Sequence, residues 1–251
     1  MRVTDVAIIK IRDLIADGTL SPGDRLPPEQ ELATQLGISR SSLREAVKAL
    51  SQARVLDVRR GDGTYVTSLE PELLMSGLSF VIDLMQDQTL IEVFEVRKLL
   101  EPAATALAAR MISDDQIAEL STSLEQMRQA HTPEDLVVRD IEFHNQVVAA
   151  TGNATLCSLV DAVSVRSLRA RIWRASMSGL KSLTLSQHSL ILDALRRHDP
   201  SLARSAATIH VSQSEQWLRQ YLESAHIARR SGAATPLLQL GGPEGVGGSG
   251  R

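Results

Sequence analysis

Asp140 and His144 stand four residues apart in DIEFH, His188 lies in QHSLILDAL, and His210 lies in ATIHVSQ. Side chains four apart emerge on one face of a helix, and each of these stretches has apolar residues at helical spacing. A bundle that gathers three such helices would offer three imidazoles and one carboxylate to a common point. That donor set suits a divalent cation, Zn first, with Ni or Mn as alternatives. Spacing alone leaves the plainer reading open, because a helical histidine more often packs in a core or faces solvent. Glu142 lies two residues before His144, off the shared face, so a metal-activated water would lack an obvious base. No separate nucleophile or glycine-rich phosphate loop accompanies the set, which makes a metallohydrolase the remote alternative. Arg97 and Glu101, also four apart, have the spacing of an ordinary helical ion pair.

A second kind of chemistry is written in residues 26–66, LPPEQELATQLGISRSSLREAVKALSQARVLDVRRGDGTYV. Leu32, Ala33 and Leu36 give a first helix its apolar stripe, and Gly37 can end it in the left-handed conformation. Ser39 can cap the next helix. There Leu43, Val47 and Leu50 fall on one face, and Arg40, Arg44 and Lys48, four apart, fall on another. From Arg40 to Arg60 six Lys/Arg face two Asp/Glu, a local excess of +4 in a chain of net charge −3. Val55, Leu56 and Val58 then read as a strand, Gly61-Asp62-Gly63 as a turn, and Thr64 to Thr67 as the return strand. Arg59 and Arg60 sit beside the tip, where a wing can reach phosphate or the minor groove. A basic helix or a DG hairpin alone says little. In this order they make a winged helix-turn-helix, which places one helix in the major groove of double-stranded DNA.

LPPEQELATQLGISRSSLREAVKAL followed by GDGTYV resembles the DNA-binding domain of the GntR family of bacterial transcription regulators, over about residues 4–68. The resemblance implies that Arg40 and Arg44 contact bases or phosphates. It also implies that Ser39, Ser41 and Ser42 contact the backbone, and that Gly61 lies at the wing tip against the minor groove. Many members carry Arg where this chain has Gln30, so one operator contact is expected to differ here.

Composition sets the limits. A chain of 251 residues accommodates one small and one medium domain. Apolar content of 43% is that of a globular protein, while only 3% aromatic residues call for a core of Leu, Ile, Val and Ala. The single cysteine, Cys157, excludes an internal disulfide and fits a reducing compartment. No apolar run reaches the roughly 18 residues of a membrane span, and the N-terminus does not read as a signal peptide. A cytoplasmic protein is expected. The first 68 residues hold ten Lys/Arg and nine Asp/Glu, so positive charge is concentrated on one helix and the wing.

The fold expected is mostly α: a winged helix-turn-helix at 1–68, an all-α antiparallel bundle of six or seven helices at 69–228, and a disordered Gly-rich tail at 229–251. Helix starts are marked at Ser113-Asp114-Asp115-Gln116 and at Thr132-Pro133-Glu134. Breaks fall at Gln86-Asp87-Gln88, Gly152, Ser178-Gly179 and His198-Asp199. Residues 90–222, through DIEFH, Gly152-Asn153, Gln187-His188 and His198 to His210, resemble the FCD ligand-binding domain of the FadR subfamily. The resemblance maps that domain's metal ligands onto Asp140, His144, His188 and His210, and implies that Arg97 faces the cavity and pairs with an effector carboxylate. Members often have Glu in place of Gln187. His131, His198 and His226 match no ligand position, and the Arg166, Arg169, Arg171, Arg174 run around Trp173 reads as a solvent and interface face. The function expected is a regulator, a repressor by preference. It would act as a homodimer on a palindromic operator and be controlled by a small carboxylate bound at the metal. A regulator that senses acyl-CoA or another apolar ligand without metal is the alternative.

Overall fold

The computed structural model describes residues 3–75, 89–165 and 180–230. The Arg166 to Arg174 run with Trp173, the breaks at Gln86–Gln88 and Ser178-Gly179, the His226 side chain and the tail from residue 231 lie outside the described residues. The chain divides into two compact units, Met1–Asp83 and Leu84–Arg251.

The first unit opens with α1 (Val3–Ala16), which buries Ala7 and Ile11, four apart. α2 (Glu29–Leu36) buries Leu32, Ala33 and Leu36 and ends at Gly37, whose φ of 61° no β-branched residue would tolerate. The Gly37 and Ile38 amides return to the Thr34 and Ala33 carbonyls, closing the helix. α3 (Arg40–Gln52) starts at Ser39, whose hydroxyl accepts from the Ser42 amide at 3.1 Å. β1 (Leu56–Arg59) and β2 (Gly63–Val66) pair antiparallel, Leu56 opposite Val66 and Arg59 opposite Gly63. Val55, expected in the strand, is still finishing α3, because its amide returns to the Leu50 carbonyl. Residues 23–26 line the free edge of β2, with Leu26 N donating to Thr64 O at 2.8 Å. Ile11, Leu32, Leu43, Leu50, Leu56 and Val66 form one core beneath the helix-turn-helix and the hairpin. Truncating a buried leucine such as Leu43 would cost about 2–5 kcal/mol.

Among the described residues of the second unit every regular element is a helix: α4 (Thr89–Met111), α5 (Asp114–Gln129), α6 (Pro133–Ala149), α7 (Ala154–Val165), α8 (Leu180–Arg196) and α9 (Pro200–Arg230). α5 begins with a capping box between Ser113 and Gln116, and α6 begins with Thr132 capping and Pro133 in the first turn. His198 takes φ 48° at the end of α8, and Asp199 accepts from the Ser201 and Leu202 amides to start α9. The core is rich in alanine (Ala108, Ala109, Ala194, Ala203, Ala207), which lets helix backbones approach closely. Phe143 is a rare aromatic within it. No described helix is long and apolar enough to cross a membrane.

Candidate functional site

On the first unit, the residues expected to meet DNA lie in the first turn of α2, the first half of α3 and the hairpin tip. Ser39, Arg40 and Ser41 are exposed, and Ser42 is half-buried. The Ser39 hydroxyl lies 2.9 Å from that of Ser41 and 2.7 Å from that of Ser42. Gln30 is exposed in the first turn of α2, and Gly61 turns the hairpin tip with φ 78°. Arg40 and Arg60 are exposed, and neither makes an ion pair among the described residues. Arg44 differs, because its Nε donates to Glu29 Oε2 at 2.7 Å. Arg59 is also engaged, donating to Asp57 at 2.9 Å with its guanidinium 4.2 Å above the Tyr65 ring. The spacing of the cations was readable in the sequence. The partners Glu29, Asp57 and Tyr65 were not, since periodicity does not report contacts across a turn or a hairpin.

In the second unit, α6, α8 and α9 bring Asp140, His144, His188 and His210 together. One ligand-type atom from each lies within 4.8 Å of all the others, and all four residues are buried. His144 Nε2 is 3.1 Å from His210 Nε2, and His188 Nε2 is 3.1 Å from Asp140 Oδ1. The outer nitrogens determine what the inner ones can do. His188 Nδ1 faces the Thr184 carbonyl at 2.8 Å, and His210 Nδ1 faces Gln187 Oε1 at 2.9 Å. Both partners accept, so both Nδ1 atoms carry the proton. With the proton on Nδ1, a neutral imidazole turns its Nε2 lone pair inward. His188 Nε2 makes no hydrogen bond among the described residues and lies beside Asp140 Oδ1. His144 closes the ring, its Nε2 hydrogen-bonded to His210 Nε2 and its Nδ1 3.7 Å from Glu101 Oε2.

Inward lone pairs and a carboxylate converging in a buried site call for a proton or a metal cation among them. The four residues therefore fit a divalent metal by the chemistry of their donors. Burial and the neighbouring His188 and His144 push the His210 imidazole well below its ordinary pKa, against the opposing pull of Asp140. A neutral imidazole is the form that binds metal. Phe143 packs against His188 with ring centroids 4.7 Å apart, helping to hold that imidazole in place.

Arg97 is buried beside this cluster, its Nε donating to Glu101 Oε1 at 2.5 Å and its guanidinium 4.6 Å from the Phe94 ring. The Arg97–Glu101 helical pair that the spacing allowed is therefore formed. Glu142 is exposed and pairs with Arg139 at 3.0 Å, away from the cluster. His131 is exposed, while His198 serves structure, its Nδ1 3.1 Å from the Ala109 carbonyl. Sequence reading missed Gln213, which accepts from the Gln187 amide and so fixes which end of Gln187 meets His210. Only the three-dimensional pairing of α8 with α9 exposes that link.

Two family models match the chain. The one described as bacterial regulatory proteins, gntR family, covers residues 4–66, and the FCD domain covers residues 92–213. The chain is 30% identical to the HTH-type transcriptional regulator LutR of Bacillus subtilis (strain 168), over 84% of this chain and 98% of that protein. It is 29% identical to the galactonate operon transcriptional repressor of Escherichia coli (strain K12), over 86% and 97% of the two chains. Among solved structures, Streptococcus agalactiae GntR superposes with a TM-score of 0.64 at 30% identity, over 86% of this chain and 99% of that one. These relatives are transcription regulators and not enzymes.

Proposed function

The chain belongs to the GntR family of bacterial regulatory proteins, and from that premise we propose a repressor whose hold on its operator is set by a small organic acid. Transcription regulation through a DNA-binding unit and an FCD domain is the family's function and this chain's. The finer reading assigns Asp140, His144, His188 and His210 as ligands of a divalent metal, Zn by preference and Ni or Mn as alternatives. The observation that carries it is the inward set of lone pairs, with the outer nitrogens of His188 and His210 already committed to Thr184 and Gln187. A metal held by these residues would supply a Lewis acid for a carboxylate or hydroxyl oxygen. The chain's own residues orient the imidazoles and keep water out. A sugar acid is the class proposed for the effector, in keeping with the galactonate in the name of one relative. Arg97 is assigned to the effector carboxylate, by charge-assisted hydrogen bonding.

Arg40, Arg44, Arg60, Ser39, Ser41, Ser42, Gln30 and Gly61 are assigned to the operator. The protein acts in the cytoplasm as a homodimer, because two recognition helices match a palindrome at fixed half-site spacing. Effector binding between α4, α6, α8 and α9 re-packs those helices and biases that spacing. Metal analysis of the protein as purified should return about one divalent ion per chain. His188→Ala should lose it, and chelation should lower the thermal midpoint of wild type but not of the variant. A panel of sugar acids added to a mobility-shift titration should release operator DNA. Metal-free protein that still responds to a ligand would overturn the metal assignment.

A further inference from the structure

The wing tip is held from outside the hairpin. Residues 23–26 run along β2, Gly23 N donating to Val66 O and Val66 N to Asp24 O, each at 2.9 Å. This lays Arg25 opposite Tyr65. From there the Arg25 guanidinium crosses the tip, and Nη2 donates to the Asp62 carbonyl. A Cβ built on Gly63 would stand 2.5 Å from Arg25 Nε and 3.2 Å from Cζ. Gly63 does not occupy the left-handed region. A side chain here would meet the passing Arg25 guanidinium and make it shift, and the backbone conformation does not itself require glycine. On the other side the Tyr65 hydroxyl donates to the Asp62 carboxylate, 3.0 Å from each oxygen. Asp62 is thus gripped by its carbonyl from one side and by its carboxylate from the other.

We infer that Arg25 is a positioning residue for the wing: laid across Gly63, it pins Asp62 and so fixes Gly61 and Arg60 in place before DNA arrives. The inference rests on the reading of the wing as a DNA contact. A two-stranded hairpin alone is marginal in water, and a loose tip would have to be ordered during binding at a cost in affinity. An exposed guanidinium bridging the tip to the 23–26 segment removes much of that cost in advance.

The test uses the full chain with Arg25→Ala and, separately, Gly63→Ala. The second keeps every charge and displaces the guanidinium, because Arg25 is the group that the new methyl meets. Backbone amide order parameters without DNA should fall at Asp62 and Gly63 in both variants, from about 0.85 toward about 0.6. Affinity for a labelled DNA duplex of mixed sequence at low salt should fall about fivefold in both, about 1 kcal/mol. Unchanged order parameters, or weakening by Arg25→Ala alone, would overturn the inference and leave Arg25 a simple phosphate contact. A tip that loosens in both variants of a protein that binds no duplex would uphold the positioning role and sink the DNA reading of the wing.

Discussion

Each unit of the molecule holds an arginine–glutamate pair, and the two pairs differ mainly in their surroundings. Arg44 and Glu29 meet at 2.7 Å with side chains 64% and 44% exposed, whereas Arg97 and Glu101 meet at 2.5 Å with 1% and 3% exposed. In water an ion pair is worth roughly 0.2–1 kcal/mol, so Arg44 can leave Glu29 for a nucleic acid at little cost. Inside the bundle, removal of one partner strands a charge that has nowhere to be solvated. The same chemistry is therefore exchangeable on α3 and fixed on α4. An interface that must open and close its contacts needs the first property, and a preorganised site needs the second.

The comparison is tested hardest at Glu101. Glu101→Ala removes the carboxylate that the buried Arg97 guanidinium meets. It should cost about 3–5 kcal/mol, which lowers the thermal midpoint of the helical unit by roughly 10 °C. Glu101→Gln, which keeps an acceptor oxygen, should cost less. A Glu101→Ala midpoint close to that of wild type would mean that water reaches Arg97, and the contrast between the pairs would fail.

An intermediate case sits at Glu215 on α9, which binds Lys98 of α4 and Arg219, the latter at 2.7 Å. Burial works to raise the Glu215 carboxyl, but hydrogen bonds from Lys98 and Arg219 outweigh it and hold the group below its ordinary 4.5. A carboxyl depressed in the folded state adds stability that is fully present above its unfolded pKa. That contribution is lost as pH falls through the lower folded value. Glu215→Gln should therefore reduce stability at neutral pH and flatten the acid limb of a denaturation profile below about pH 4.5. An acid limb identical in the two proteins would show that Lys98 and Arg219 do not favour the ionised form.

The contrast also explains what the sequence disclosed. Local chemistry was readable: Gly37 ends α2, Ser39 caps α3, Ser113 and Gln116 box the start of α5, and Pro133 begins α6. Each depends on residues a few positions apart. The four-residue cluster at Asp140 was readable as donor types on helical faces, because the bundle had only to bring the faces together. The links that set the orientation of those groups were hidden. Arg25 to Asp62, Gln187 to Gln213 and Arg44 to Glu29 join residues 37, 26 and 15 apart. No periodicity relates such pairs. Val58, read as a strand residue, does lie in β1, but it stands 50% exposed although it shares a face with the buried Leu56, which the spacing alone does not disclose.

The smallest effect on stability, and the sharpest test of exchange, belongs to Glu29. Glu29→Ala should leave the thermal midpoint of the DNA-binding unit close to that of wild type, since an exposed pair contributes little. Its effect should appear on DNA. The carboxylate both competes for Arg44 and repels phosphate, so its removal should tighten binding to a mixed-sequence duplex about twofold to fivefold at low salt. The salt dependence should steepen by about one counterion, as Arg44 becomes free to neutralise a phosphate. Discrimination between operator and mixed sequence should narrow, because a guanidinium no longer held by Glu29 samples phosphates as readily as base edges. Anisotropy titrations across a salt series measure all three. If Glu29→Ala instead weakens binding to every duplex, the pair is holding Arg44 in its binding pose. The α3 ion pair would then be a fixed element like the buried one, and exposure would not be what separates them.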